Sequence, residues 1–125
     1  MLGHFLAVGL GGAIGAMARY GVGLAVMRAV GHGFPVAIIT VNVLGSFLMG
    51  VFVVLAAQRG LTSWSPFVMT GLLGGFTTFS AFSLEAVTLY ERGEVAQAGL
   101  YIGLSVVLSI SGLMLGLWLA RTVLA

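Results

Sequence analysis

The chain has 125 residues, 60% of them hydrophobic and only 6% charged, and its mean hydropathy is +1.19. Soluble domains carry about 25% charged residues, so this composition predicts a membrane protein with very short loops. Cysteine is absent, which excludes a disulfide framework, thiolate metal sites and a cysteine nucleophile. The isoelectric point near 9.7 does not point to nucleic acid. It arises from five arginines against three glutamates, scattered singly and without lysine, whereas phosphate-binding patches need clustered charge.

Charges and turn residues divide the chain into four apolar stretches, expected to form one transmembrane domain over residues 1–125. The first runs roughly from Gly3 to Met27 and ends at Arg28. Its start, Met1-Leu2-Gly3-His4-Phe5, has no basic region and no small-residue cleavage site, so it is expected to remain as a helix. The second spans about Pro35 to Ala57, the third about Trp64 to Leu89, and the fourth about Val95 to Ala120. Each exceeds the about 20 residues that cross a hydrocarbon core of ~30 Å. Pro35 and Pro66 fall near helix starts, where a missing amide proton costs least.

Polar residues inside these stretches carry the functional reading. Arg19, deep in the first span, either snorkels to the interface or faces a watery vestibule. Asn42, in the second span, can donate and accept. It serves as glue between helices or as a pore-lining group, and the span alone leaves both open. In the middle of the third span the chain reads Gly74-Gly75-Phe76-Thr77-Thr78-Phe79-Ser80-Ala81-Phe82. A glycine pair at that depth invites the helix to break. Non-helical backbone there is tolerated only where protein buries it or where it lines a cavity. The third helix is therefore expected to be broken near the midplane, beside an ion or substrate site.

Phe79 and Phe82 share a helical face, and Ser80 and Ser83 form a neighbouring stripe. Aromatic pairs at this spacing usually pack; rings directly after a break can instead turn their positive edges to an anion. Glu85, near the end of the third span, reads as a proton relay or, preferably, as a vestibule acid or helix-terminal partner. In the fourth span Tyr101, Ser105, Ser109 and Gly112 fall on one face. Membrane serines commonly bond back to their own helix, but the tyrosine heading this row favours a polar track. The glycine pairs Gly45/Gly50, Gly99/Gly103 and Gly112/Gly116, with Gly11, Gly12 and Gly15, are expected to allow close helix contact. His4 and His32 are expected at the interfaces.

Orientation follows the arginines in the loops. With four spans, Arg59 and Arg121 lie on one side and Arg28 and Arg92 on the other. Two against two gives no preference, so the chain is expected to insert both ways and to form an antiparallel, dual-topology homodimer.

With these segments assembled, the chain resembles the Fluc (CrcB) family of small fluoride channels over essentially its whole length. Three blocks carry the resemblance: Gly11 to Tyr20, Val41 to Phe47, and Gly74 to Glu85, the last with Gly-Gly-x-Thr-Thr-Phe-Ser-x-Phe as the most specific pattern. The resemblance implies an antiparallel dimer in the bacterial inner membrane with two fluoride pores along the subunit boundary. It implies a structural, untransported Na+ on the two-fold axis, held by the backbone carbonyls of Gly74 and Thr77. It assigns Asn42, Phe79 and Phe82 to the pore, Tyr101, Ser105 and Ser109 to a polar track, and Thr78, Ser80 and Ser83 to nearby hydroxyls. Arg19 and Glu85 take vestibule or supporting places. The chain departs from the family at Ile38, where threonine is common, and at Ala81. Two rivals are a small proton-coupled multidrug exporter, which needs a deep acid that the first span lacks, and a structural membrane subunit. An enzyme has no support, because no nucleophile–base pair appears.

Overall fold

The computed structural model describes residues 1–31 and 33–124; His32 lies outside the described residues. All regular structure among the described residues is helical. Helix α1 covers Leu2–Val30 and α2 covers Val36–Arg59. The third span opens with a 3-10 turn, Thr62–Trp64, and a π-helical stretch, Pro66–Leu73. It continues through the single turn α3, Gly74–Phe76, and ends with α4, Phe79–Glu91. Helix α5 covers Val95–Leu124. Four stretches are thus long and apolar enough to cross a membrane: Leu2–Val30, Val36–Arg59, Thr62–Glu91 and Val95–Leu124.

The outer surface fits that medium. Phe5, Leu10 and Met17 on α1 are exposed, as are Val107, Met114 and Trp118 on α5. Water would penalise such a surface, whereas lipid does not. Loops are short. Gly60 ends α2 in the left-handed region, at φ 68° and ψ 31°, with its N–H donating to the Ala56 carbonyl. The absent Cβ makes that conformation cheap.

Two close helix contacts organise the interior, and glycine permits both. On one side, α1 lies against the π stretch. A Cβ on Gly15 would meet the Leu72 carbonyl oxygen, and one on Gly75 would come within 2.6 Å of the Gly12 carbonyl oxygen. On the other side, α2 lies against α5. Gly116 sits over the Phe47 carbonyl, and Gly50 sits reciprocally over the Leu113 carbonyl. Without lipid-excluding force between helices, close backbone approach is what holds them. Gly99 and Gly103 do not take part: a Cβ on either meets nothing within 4 Å in the chain. Their spacing predicts a contact, but the face of α5 turned to α2 is the one bearing Gly112 and Gly116.

The extended backbone in the third span is not at the glycines. Gly74 is helical, at φ −63° and ψ −38°. Thr77 (φ −89°, ψ 159°) and Thr78 (φ −152°, ψ 121°) are extended. Thr78 then caps α4, its Oγ1 accepting the Ala81 N–H at 3.2 Å. A small core joins α2, α4 and α5, built on Phe82, Leu89 and Tyr101, with Phe34, Ile38 and Ile39 packed against it.

Gly116→Ala is expected to destabilise the protein by about 1–3 kcal/mol, because the added methyl must push backbone rather than a flexible side chain. Gly103→Ala should stay within about 0.5 kcal/mol. Unfolding of both variants in detergent micelles checks the contrast.

Candidate functional site: a polar cleft beside the extended pair

Extended backbone inside a membrane-length stretch exposes peptide groups that a helix would have paired. Asn42 of α2 takes both groups of Thr78: its Oδ1 accepts the Thr78 N–H at 2.8 Å, and its Nδ2 donates to the Thr78 carbonyl at 3.0 Å. The side-chain amide thus stands in for a neighbouring strand. A carboxamide has two N–H donors and two acceptor lone pairs, so one donor of Asn42 remains for another partner.

These diversions decide which carbonyls lose their helical donors. In a continuous helix the Thr78 N–H would serve the Gly74 carbonyl; here it serves Asn42. The Ala81 N–H would serve the Thr77 carbonyl; here it serves Thr78 Oγ1. The Gly75 carbonyl gains a replacement, because Arg19 Nε donates to it at 3.1 Å. Arg19 therefore reaches across from α1 to the middle of α3 rather than snorkelling to the end of its helix. Gly74 and Thr77 are left presenting neutral, hard oxygens. No group of three or more histidine, cysteine or acidic side chains that could hold a metal occurs among the described residues.

Beside Asn42 and the extended pair lies a cleft of about 340 Å3, bounded by α2, α4 and α5. Six residues singled out in the sequence meet on its wall: Asn42, Thr78, Phe79, Phe82, Ser105 and Ser109. Thr77 lines it too, and so do Ser46 and Met49. The latter two escaped the sequence reading, although Ser46 sits one turn after Asn42 and spacing alone places it on the same face.

The hydroxyls divide into two kinds. Ser83 Oγ donates to the Phe79 carbonyl at 2.9 Å, and Thr40 Oγ1 donates to the Val36 carbonyl at 2.8 Å; both are spent on their own helices. Ser80 is exposed, with its Oγ 3.3 Å from Thr78 Oγ1, and neither Ser80 nor Ser83 lines the cleft. Ser105 differs. It is 5% exposed, and its Oγ is buried with no hydrogen-bond partner among the described residues. A buried hydroxyl without a partner is unusual and costly.

Aromatic rings run from the cleft toward the loop side. Phe79 is 78% exposed and Phe82 9%, with ring centroids 5.4 Å apart. Phe82 stacks on Tyr101 at 5.3 Å, and Phe34 meets Tyr101 edge-on at 5.7 Å. Tyr101 is fully buried and lies outside the cleft lining; its hydroxyl donates to Glu85 Oε2 at 2.8 Å. Glu85 in turn lines a second cavity, about 280 Å3, with Phe34, Thr88 and Arg92. Ile38, at the position of the family's threonine, packs on the Phe82–Tyr101 core and contributes no hydroxyl.

Four membrane-length stretches and an amide- and hydroxyl-lined cleft define a small multi-pass membrane protein built around a polar site. The family it represents follows from comparison with known proteins. Residues 6–117 match the model of the family described as "CrcB-like protein, Camphor Resistance (CrcB)", and the chain belongs to that family. A relative from Ruegeria sp. (strain TM1040), named "Fluoride-specific ion channel FluC", is 67% identical over 125 residues, covering 99% of each chain. Relatives of the same name from Roseobacter denitrificans and Jannaschia sp. are 69% and 74% identical. The former match covers 93% of this chain and 94% of the relative; the latter covers 79% and 99%.

Asn42→Leu is expected to cost about 2–6 kcal/mol, since it strands both backbone groups of Thr78 at roughly 1–3 kcal/mol each. Chemical or thermal unfolding of the detergent-solubilised variant against the parent measures it.

Proposed function

We propose that this protein is a fluoride-selective passive channel that exports fluoride from the cytoplasm and so limits its toxicity. The observation that carries the reading is the buried, unpartnered hydroxyl of Ser105 on the wall of the cleft that Asn42 and Ser109 share. The relatives named "Fluoride-specific ion channel FluC" support it.

Fluoride is small, strongly hydrated and a hard hydrogen-bond acceptor. A path through hydrocarbon must replace its water with donors, yet must not hold it too tightly to leave. The spare Asn42 N–H and the hydroxyls of Ser105, Ser109 and Thr78 meet both demands without a fixed charge. Phe79 and Phe82 add the weak positive potential of ring edges. Tyr101 positions Phe82 by stacking and ties it, through its own hydroxyl, to Glu85.

The working unit is an antiparallel homodimer with two pores. The even loop arginines support dual topology. A single chain also leaves Phe79 largely uncovered at the rim of the cleft, as a pore wall finished by a second copy would. The carbonyls of Gly74 and Thr77 would hold a structural Na+, which when bound supplies positive charge near the dimer centre. A proton-coupled exporter is disfavoured because Leu2–Val30 contains no acid. A purely structural subunit leaves Ser105 unexplained.

Fluoride efflux from liposomes reconstituted with the protein, with chloride as control, tests the function; equal fluoride and chloride release would defeat it. Ser105→Ala is expected to keep or raise stability while lowering fluoride flux at least tenfold, and Phe79→Ile should lower flux with the dimer intact. Unaltered flux in both would return these side chains to packing.

Orientation has a separate check. Side-specific labelling of a tagged terminus should find it on both faces of the membrane in comparable amounts. Labelling from one face alone would overturn dual topology.

A further inference from the structure

Arg19 is the one cation set deep in α1, about 16 Å by the helical rise from that helix's end at Val30. Its guanidinium reaches the third span and donates Nε–H to the Gly75 carbonyl at 3.1 Å. Gly75 is the neighbour of Gly74 within α3, so a fixed positive charge stands one residue from a carbonyl assigned to the central cation. The acids are distant. Glu85 lies ten residues further along the third span, beyond the extended pair, and is engaged by the Tyr101 hydroxyl. Glu91 and Glu94 fall at or beyond the end of α4.

A site made of neutral oxygens has a selectivity problem. Ion–dipole attraction scales with charge, so carbonyl oxygens bind Ca2+ as readily as they bind a monovalent ion of similar size, and calcium sites routinely use them. Repulsion from a fixed positive charge scales with charge as well, and penalises a divalent ion twice as strongly as a monovalent one. Over separations on the order of 10 Å, at an effective dielectric near 20, the extra repulsion amounts to roughly tenfold or more in the binding ratio. Arg19 also withdraws the Gly75 carbonyl from the set of free oxygens, which keeps the donor count low. Ca2+ demands six to eight ligands; a sparse set disfavours it again.

We propose that Arg19 is the specificity-determining residue of the central cation site, excluding divalent cations through its charge and through its hold on the Gly75 carbonyl. The inference rests on the sodium reading above and adds the reason the site takes a monovalent ion.

The test uses the full-length protein in detergent, with thermal unfolding titrated by NaCl and by CaCl2 at constant ionic strength, and 45Ca2+ binding measured by equilibrium dialysis. The parent and R19K should be stabilised by Na+, with Ca2+ unable to substitute. R19Q should lower the Ca2+ midpoint relative to that of Na+ by tenfold or more and should retain 45Ca2+. R19M, which suits apolar surroundings, provides the same charge removal if R19Q assembles poorly. An unchanged Ca2+/Na+ ratio in the assembled charge-removed variants overturns the inference and leaves the sodium reading standing. Loss of discrimination in R19K to the same extent as in R19Q would overturn it too, because charge would then not be the cause. A parent protein indifferent to Na+ would overturn the sodium reading and this inference together.

Discussion

The paired hydrogen bonds between Asn42 and Thr78 are the constraint on which the rest of the site depends. Extended peptide groups at membrane depth have no water to turn to, and each unpaired group costs kilocalories. One side-chain amide satisfies the N–H and the carbonyl of Thr78 together. That frees Thr78 to cap α4 with its own hydroxyl and fixes where α4 begins. The start of α4 in turn sets the directions of Phe79 and Phe82, and with them one wall of the cleft. The Gly74 and Thr77 carbonyls are by-products of the same exchange, since their helical donors are the two N–H groups that were diverted.

Such a local arrangement needs rigid neighbours. The helix pairs on either side supply them through backbone-to-backbone contact at glycine. Gly15 and Gly75 bring α1 against the π-helical stretch and α3, while Gly50 and Gly116 lock α2 to α5. The cleft lies between the α2–α5 pair and the start of α4, so two of its walls belong to helices that cannot shift past each other without a clash. Groups held at fixed separation discriminate among ligands by size, whereas mobile groups adapt to each.

Much of this was legible in the sequence. Hydropathy located four spans because twenty-odd apolar residues in water have few alternatives. The convergence of Phe79 with Phe82, and of Ser105 with Ser109, follows from helical spacing. The illegible parts are contacts between distant residues or choices among like ones. Asn42 meets Thr78, 36 positions away, and Arg19 meets Gly75, 56 positions away; no periodicity encodes either. Gly99/Gly103 and Gly112/Gly116 have the same spacing on the same helix, and only the rotation of α5 against α2 decides which pair is used. Glycine at 74 and 75 signalled an irregular backbone, but glycine also permits close approach, and here the approach to α1 is the use that the fold makes of Gly75.

The hydroxyl groups set Ser105 apart from the others. Ser83, Thr40, Thr88 and Thr122 all donate to the carbonyl four residues back, which is the low-energy choice for a hydroxyl on a membrane helix. Ser105 lies on a helix with the same option and does not use it. An alanine in its place would pack in the same space without a buried polar group, so folding alone does not favour serine there. A donor withheld from its own backbone is available to a ligand at no cost of breaking an internal bond. Local rules of polar satisfaction fail in native proteins chiefly at functional sites, and within this chain the failure falls on the wall that Asn42, Phe82 and Ser109 share.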